Sequence, residues 1–279
     1  MRYQLEDLLA LMRVLRDPDQ GCPWDIEQHW HSIVPHTIEE AYEVADAIER
    51  EAFDELPGEL GDLLFQVVYY AQFGAEQGRF DFADIIDTLT RKMIRRHPHV
   101  FPEGTLASRR TPGETAEAVE QRQVKHRWEA LKADEREARA SEPASALDDV
   151  PRTLPALSRA QKLSKRAARV GFDWPDTRGV IARIREELEE VEQALQQNDA
   201  EHVREEIGDL LFATSNLARA VGADAETCLR GANAKFERRF RFVERALGEQ
   251  LDQASLEEME RHWQAAKRLE REESLEYKE

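Results

Sequence analysis

Apolar residues recur along the chain with the period of an α-helix, so the pattern predicts helices nearly throughout. The first stripe begins at Leu5 and ends at Leu15, where the turn-forming residues 17–21 (Asp-Pro-Asp-Gln-Gly) follow. The same periodicity predicts a second helix over roughly His36 to Arg50, before a break near Asp54 to Gly58. The N-terminal part of the chain is therefore expected to be a succession of amphipathic helices.

A broad apolar stripe follows this break and predicts a third helix that Gly78 ends. Asp81 is the expected N-cap of a fourth helix, which runs through Met93 and is closed by Pro98. No segment shows the alternation of apolar and polar residues that is typical of a strand. The pattern thus indicates an all-α protein. The stripe of the third helix consists of Leu60, Leu63, Leu64, Val67, Val68 and Ala71.

Two domains are expected because the helical pattern is interrupted near the middle. Pro102 to Gly113 is loop-like, and Ala116 to Arg139 is a highly charged predicted helix carrying Trp128. Three prolines then fall within residues 141–155, which is typical of an inter-domain linker. We therefore predict helical domains over residues 1–140 and 156–279.

The second domain repeats the first. The separation of 19 positions between Glu40 and Glu59 recurs between Glu187 and Glu206, and each later residue is followed by a Gly-Asp-Leu-Leu-Phe segment. Two homologous helical units thus share one chain. The matching segments are Gly21–Asp25 with Gly171–Pro175, Glu39–Val44 with Glu186–Val191, Gly58–Phe65 with Glu205–Phe212, and Lys92–Arg96 with Lys235–Arg239.

Paired carboxylates are the chemical feature that both units retain. Positions three apart lie on nearly the same helix face, so the carboxylates of each pair project together, and the second pair is embedded in an apolar stripe. Four converging carboxylates near a core need a cation, and oxygen ligands alone suit Mg²⁺ or Mn²⁺. The simpler alternative is a solvated acidic helix face. The two predicted quartets are Glu40, Glu43, Glu59, Asp62 and Glu187, Glu190, Glu206, Asp209.

Iron is disfavoured as the cation, since no glutamate is followed three positions later by histidine, as it is in di-iron helical bundles. A basic triad in each repeat instead suggests that an anion, such as a phosphate group, binds beside the metal. The alternative is that these cations pair with nearby acids. Trp174 or Trp263 would be able to stack on a base, although core packing is equally common for tryptophan. The triads are Lys92, Arg95, Arg96 and Lys235, Arg238, Arg239.

The net charge narrows the choice of partners. The 279 residues include 57 acidic and 39 basic side chains, which gives a formal charge of −18. Such a surface repels phosphate polymers and anionic membranes, so nucleic acid and membrane are not expected partners. Two cysteines in a chain of this length are too few for a disulfide framework, which fits a reducing compartment. Met1 to Leu15 is too polar for a signal peptide or a membrane span. A cytoplasmic location is therefore expected.

The two EExxE motifs, with Glu59-x-x-Asp62 and Glu206-x-x-Asp209, resemble those of the MazG nucleoside triphosphate pyrophosphohydrolases. This resemblance covers nearly the whole chain and implies a dimer of all-α domains. It also implies Mg²⁺-dependent hydrolysis of NTPs or dNTPs to the nucleoside monophosphate and pyrophosphate, with metal-activated water attacking the α-phosphorus. The resemblance is strengthened by Gly21–Asp25, Arg95–Phe101 and Lys235–Phe240.

Carried over residue by residue, the resemblance implies that the second quartet holds the metal and that its basic triad holds the phosphates. It makes Arg183 and Trp263 further nucleotide contacts and Glu186 a possible base beside Glu187. The N-terminal unit has His36 in place of Arg183, so we rank the C-terminal unit as the main catalytic one. A non-catalytic module that senses nucleotides or binds a protein, and an enzyme that removes one modified or deoxy nucleotide, remain the alternatives.

Overall fold

The computed structural model describes residues 2–109 and 145–276. These residues form helices, turns and loops, with no strand among them, and the chain divides into two compact units, Met1–Ala138 and Arg139–Glu279. The prediction of an all-α fold is confirmed. The predicted helix Ala116 to Arg139, its Trp128 and the first linker residues lie outside the described ranges.

Five α-helices build the described part of the N-terminal unit, and a 3₁₀ turn over Leu106–Ser108 follows them. Helix α3 packs along α4, and α1 and α5 also contact α4. The long helix α4 is thus the centre of the unit. The helices are α1 (Leu5–Leu15), α2 (Pro23–Glu27), α3 (Trp30–Glu49), α4 (Leu56–Glu76) and α5 (Phe82–Arg96).

The start of α3 differs from the sequence-based prediction. The helix begins at Trp30, six residues before the predicted start, and Pro35 lies inside it. Trp30 explains the early start, since its ring stacks on Tyr70 at 5.9 Å and meets Phe73 edge-on. The packing of this indole outweighs the loss of the backbone donor at the proline.

Other boundaries in the N-terminal unit follow the prediction. Helix α1 has the expected bounds, and Asp81 caps α5 by accepting a hydrogen bond from the backbone N–H of Asp84. Gly78 adopts a left-handed φ of 61° after α4, which glycine tolerates without strain. The short helix α2 was not predicted from its five residues.

The apolar stripe of α4 is only partly covered. Val68 and Ala71, in its C-terminal half, are buried, whereas Leu60 and Leu64, in its N-terminal half, are exposed. The contacts of α4 with α1, α3 and α5 therefore leave the N-terminal half of the stripe uncovered. Buried Met12, Ile33, Val68, Tyr69 and Phe73 form the core of this unit instead.

Five α-helices also build the described part of the C-terminal unit, with a 3₁₀ segment over Gly248–Gln253. Helix α7 packs along α8, α6 packs on α8, and α9 contacts α6, α8 and α10. Part of the predicted linker belongs to this unit, since Val150 is buried and Leu147 lines its cavity. The helices are α6 (Ala156–Arg169), α7 (Thr177–Gln197), α8 (Ala200–Ala220), α9 (Ala225–Leu247) and α10 (Leu256–Glu276).

Candidate metal and nucleotide site

A helical hairpin brings the C-terminal carboxylates together. The side chain of Asp176 caps α7 by accepting from two backbone N–H groups, and Asp199 caps α8 in the same way. Asn198 joins them in a left-handed conformation with a φ of 55°. This tight turn makes α7 and α8 antiparallel neighbours, so carboxylates from both helices face each other.

Three of the four predicted C-terminal ligands converge. Glu187, Glu190 and Glu206 each offer a carboxylate oxygen, and these oxygens lie within 4.8 Å of one another. Glu187 is only 3% exposed and Glu206 only 9% exposed. The fourth predicted ligand, Asp209, is more exposed and lines the adjoining cavity together with Glu187. The helices therefore gather oxygen ligands at a partly dehydrated place.

Arg183 lies one helical turn before these carboxylates and bonds to them. Its Nε atom is 2.7 Å from Glu187 Oε1, and its Nη1 atom is 2.7 Å from Glu186 Oε2. Its Nη2 atom is 4.0 Å from Glu190 Oε2. One guanidinium thus partly neutralises three carboxylates of α7.

Glu187 is left with an unsatisfied acceptor in spite of this pairing. Its Oε2 atom is buried and accepts no hydrogen bond from any described residue. Burial raises the pKa of the Glu187 carboxyl above its ordinary value, as do the hydrogen bond with Glu190 and the charges of Glu190 and Asp209, while Arg183 opposes the shift. A buried oxygen without a donor, among other carboxylates, fits a divalent cation.

His202 is a neighbour of the site that sequence reasoning missed. Its Nε2 atom lies 2.8 Å from Glu206 Oε1, one turn earlier on α8. His202 and Glu206 are four positions apart in the sequence, but the comparison of the two repeats did not single out His202. The imidazole orients the Glu206 carboxylate toward its neighbours.

A cavity of about 800 Å³ opens beside the carboxylates. Arg183, Glu187 and Asp209 form its polar end, and the rest of the lining is mainly apolar or aromatic. Its volume lies in the range of small-molecule sites. The other lining residues are Leu147, Leu163, Ser164, Ala167, Gly171, Phe172, Asp173, Trp174, Val180, Phe212, Ala213 and Asn216.

The loop that carries Trp174 into this cavity is fixed at both ends. Asp173 accepts a hydrogen bond from Arg219 Nη2 at 2.5 Å and another from the backbone N–H of Trp174. The indole packs so closely over Gly179 that a Cβ atom there would lie 2.7 Å from the ring. Trp174 therefore has a defined place although it is half-exposed.

The C-terminal basic triad and Trp263 form a separate group on α9 and α10. Arg239 Nη2 lies 2.8 Å from Glu270 Oε2, and Arg238 Nη2 lies 3.5 Å from Glu270 Oε1. The indole of Trp263 contacts Phe236 at 5.2 Å between ring centroids and lies under the Arg239 guanidinium. Lys235 is exposed on α9. None of these described residues lines the cavity. Two of the three cations, Arg238 and Arg239, pair with an acid, which is the alternative to phosphate binding.

The N-terminal carboxylates converge in the same way but in more open surroundings. Oxygens of Glu40, Glu43 and Glu59 lie within 4.8 Å of one another. Glu43 and Asp62 are exposed, and Glu40 and Glu59 are half-buried. Desolvation raises the pKa of the Glu40 carboxyl, and the charges of Glu43 and Asp62 add to the shift.

The N-terminal unit also lacks a guanidinium at the position of Arg183. His36 occupies it, and its Nδ1 atom is 3.7 Å from Glu39 Oε2, which leaves Glu40 without the partner that Glu187 has. The basic triad Lys92, Arg95 and Arg96 falls in the last two turns of α5. Cations in the last turns of a helix interact favourably with the negative end of the helix dipole. Stabilisation of α5 therefore accounts for these three residues as well as phosphate binding does.

Comparisons with known proteins match both carboxylate groups. A model described as the MazG nucleotide pyrophosphohydrolase domain matches residues 28–101 and 177–243. The chain is 52% identical to the nucleoside triphosphate pyrophosphohydrolase of Escherichia coli (strain K12), over 96% of this chain and 98% of that relative. It is 39% identical to a Thermotoga maritima protein named nucleoside triphosphate pyrophosphohydrolase/pyrophosphatase MazG, over 94% of this chain and 95% of that one.

Proposed function

The chain belongs to the MazG nucleotide pyrophosphohydrolase family and is a nucleoside triphosphate pyrophosphohydrolase, and we propose that it works through the carboxylates and cavity of its C-terminal unit. This membership favours the enzyme over a non-catalytic nucleotide-sensing or protein-binding module. The observation that carries the proposal is a single cavity with carboxylates at one end and aromatic rings along its wall.

Mg²⁺ is the cation that we propose for the C-terminal cluster, with Mn²⁺ as a substitute. Glu187, Glu190 and Glu206 would hold it, and Asp209 would complete the set. The chemistry of the donors supports this choice, because all are carboxylate oxygens and one of them, Glu187 Oε2, has no other partner among the described residues. When bound, the ion supplies Lewis acidity at phosphoryl oxygens and lowers the pKa of water.

The nucleoside is proposed to occupy the apolar part of the cavity. Trp174 and Phe212 offer ring faces to a base, and Arg183 offers a guanidinium to the phosphates at the polar end. Glu186 stays the proposed acceptor of a proton from the attacking water, although its carboxylate bonds to Arg183. The product is the nucleoside monophosphate, with pyrophosphate as the leaving group.

The basic residues of α9 are proposed to act at the triphosphate from beyond the cavity. Lys235, Arg238 and Arg239 lie on one helix, and pairing with Glu270 holds the two arginines in place. Trp263 packs under Arg239, so its contribution is to support that guanidinium. This role is separate from the stacking that we propose for Trp174.

A homodimer is the proposed assembly. Large apolar side chains stay exposed on the carboxylate-bearing hairpins of both units and at matching positions, which indicates a shared contact surface. Leu211→Asp should convert the dimer to monomers in light scattering, and a dimer that persists in both this variant and Leu64→Asp would contradict the proposal. The matching pairs are Val34 with Ile181, Ile48 with Leu195, Leu60 with Ile207, and Leu64 with Leu211.

A cytoplasmic location is proposed from the two unpaired thiols, Cys22 and Cys228. Within the described residues, no helix combines the length and the apolar character that crossing a membrane requires.

The metal assignment is tested by one substitution and a matched control. Glu206→Gln removes a negative oxygen from the cluster, whereas Glu189→Gln changes an exposed residue of α7 that lies outside it. Bound Mn²⁺ is counted by electron paramagnetic resonance, and pyrophosphate release is measured with Mg²⁺. Glu206→Gln should lower both, by about 100-fold or more for activity, and Glu189→Gln should lower neither. Equal losses in the two variants would contradict the proposal.

A further inference from the structure

Asn216 lines the C-terminal cavity on the same face of α8 as Asp209. Asp209, Phe212 and Asn216 follow one another at three- and four-residue steps, so this face presents a carboxylate, a ring and an amide in order. The separation of Asp209 and Asn216 along the helix axis is about 10 Å. A ribose and a base together span a distance of this size, so the amide lies where the far edge of a base would be.

Arg219 fixes the orientation of this amide. Its Nε atom donates a hydrogen bond to Asn216 Oδ1 at 2.8 Å. Because a guanidinium carries donors only, the amide oxygen faces Arg219 and the Nδ2 atom points away from it. Among the residues that the structure describes, none accepts a hydrogen bond from this Nδ2 atom. Asn216 thus brings unused N–H groups to the cavity wall.

Arg219 is itself held by a second partner. Its Nη2 atom bonds to Asp173 Oδ1 at 2.5 Å, and its side chain is only 16% exposed. Asp173 also accepts a hydrogen bond from the backbone N–H of Trp174. One guanidinium therefore orients both the amide of Asn216 and the loop that carries the proposed stacking residue.

Ser164 gives the opposite wall of the cavity a different hydrogen-bonding character. It lies on α6, which packs on α8, and its hydroxyl donates to the backbone carbonyls of Ala160 and Gln161, at 3.0 and 3.2 Å. A hydroxyl has a single hydrogen, so Ser164 Oγ acts toward the cavity as an acceptor. The cavity therefore offers N–H donors from α8 and a hydroxyl acceptor from α6.

We propose that Asn216, oriented by Arg219, recognises the base and favours those with a carbonyl group next to a ring N–H, namely guanine, thymine and uracil. The inference rests on the proposed function, in which the cavity takes the nucleoside. The carbonyl oxygen accepts from Asn216 Nδ2, and the ring N–H donates to Ser164 Oγ. Adenine and cytosine have an amino group and an unprotonated ring nitrogen at these positions, so they set a donor against a donor.

Two pairs of substrates measure this preference, dGTP with dATP and dUTP with dCTP, because the members of each pair differ mainly at this edge. In the unmodified full-length chain, kcat/KM should be about fivefold higher for the carbonyl-bearing member, as expected for one neutral hydrogen bond. Calorimetry with the α,β-methylene analogues, which cannot be cleaved to the monophosphate, should give the same ratio of dissociation constants. Equal or reversed values in both pairs would overturn the inference.

Asn216→Asp exchanges the donor for an acceptor. The carboxylate keeps its contact with Arg219 but presents an oxygen to the cavity, so dATP and dCTP should become the better substrates of their pairs. Gln197→Glu is the matched control, since it makes the same change from amide to carboxylate at an exposed position of α7 outside the cavity. Its ratios should equal those of the wild type. Unchanged ratios in Asn216→Asp, or equal changes in the two variants, would overturn the inference.

Arg219 is tested as a positioning residue. Arg219→Met frees the amide to turn over, so both ratios should approach one while pyrophosphate is still released. Arg219→Lys keeps a donor for Asn216 Oδ1 and should restore part of the preference. A lower kcat for all four substrates with unchanged ratios would show that Arg219 supports the fold alone, and would overturn its role in orienting the amide.

Trp174→Ala distinguishes failure of this inference from failure of the proposed nucleoside position. Loss of the indole should raise KM for all four substrates by a similar factor. If it does so while Asn216→Asp leaves the ratios unchanged, base recognition by Asn216 is wrong and the nucleoside position stands. If neither variant changes any KM, both are wrong.

Discussion

The two units of this chain carry the same carboxylates on the same helical hairpin but surround them differently. In the C-terminal unit Glu187 is almost fully buried, paired with Arg183 and next to a cavity of about 800 Å³. In the N-terminal unit Glu40 is half-buried, the position of the arginine is taken by His36, which lies near Glu39 instead, and the neighbouring helix positions belong to a packed aromatic core. The two units therefore share their carboxylates but not the surroundings of those carboxylates.

The difference shows that the neighbours of the carboxylates decide what a site of this kind does. Four acids supply the charge for a cation in either unit. The C-terminal unit adds the guanidinium of Arg183 and an open apolar volume, two features that suit an organic triphosphate. Each of the following predictions compares a C-terminal residue with its N-terminal counterpart.

Loss of the buried ligand should have the largest effect. Glu187→Gln is expected to lower the rate of pyrophosphate release by at least about 100-fold, because a metal ligand contributes at least as much as its supporting neighbours do. Glu40→Gln should lower it by less than about fivefold. Pyrophosphate is quantified at saturating Mg²⁺ with a panel of NTPs and dNTPs. If the two losses are equal, the ranking of the units is wrong.

Exchange of the cation should have the next largest effect. Arg183→His gives the C-terminal unit the residue of the N-terminal one, and we expect KM to rise about 30-fold because the two-pronged contact with phosphate is lost. The reciprocal His36→Arg should leave turnover nearly unchanged, since the cavity beside it stays filled. A KM for Arg183→His equal to that of the wild type would assign Arg183 to structure alone.

Removal of the cavity's tryptophan should have a smaller effect that is confined to binding. Trp174→Ala is expected to raise KM about tenfold with little change in kcat, because it removes one stacking contact between a base and an aromatic ring. Trp24→Ala is the matched control, because Trp24 is about equally exposed but contacts His36 edge-on in the N-terminal unit and does not line the C-terminal cavity. A fall in kcat of the same size as the rise in KM would mean that the loop positions the reacting groups instead.

Stability in the absence of metal should change least, and in the opposite direction to activity. The Glu187 carboxyl has a raised pKa in the folded state, so folded protein binds more protons than unfolded protein between pH 4.5 and that raised value, and stability falls as the pH rises through this window. Glu187→Gln should therefore stabilise the metal-free chain at pH 7. Below pH 4.5 the gain should vanish.

Thermal unfolding with a chelator, at pH 4 and pH 7, measures this effect. Glu40→Gln is the comparison, and its gain should be smaller because Glu40 is less buried. Destabilisation of the chain by Glu187→Gln at pH 7 would show that the ion pair with Arg183 outweighs the repulsion and the burial.

Local patterns in the sequence were enough to predict much of the fold. The period of the apolar residues predicted the long helices. Asp81 marked the beginning of α5 and Gly78 the end of α4, because capping and left-handed turns depend on single residues. The start of α3 was missed because Trp30 is placed by contacts with residues far along the chain. Packing of this kind leaves no local signal.

The sequence was likewise enough to predict one part of the candidate site but not the other. Spacing within and between helices predicted that Glu187, Glu190 and Glu206 converge, and they do. The cavity was not predictable, since it depends on how much of the space between helices the side chains fill. Ala213 and Asn216 line the cavity, whereas Gln66 and Tyr69, 147 positions earlier in the repeat, are buried, and the sequence pattern did not distinguish the two situations.

The most direct test of the account is to locate the bound nucleotide relative to the tryptophans. The five tryptophans are labelled with 5-fluorotryptophan, and the ¹⁹F spectrum is recorded with less than one equivalent of an α,β-methylene triphosphate and Mn²⁺, whose unpaired electrons broaden nearby signals. The resonance of Trp174 should broaden while that of Trp24 stays sharp. Broadening of Trp24 with a sharp Trp174 would contradict it.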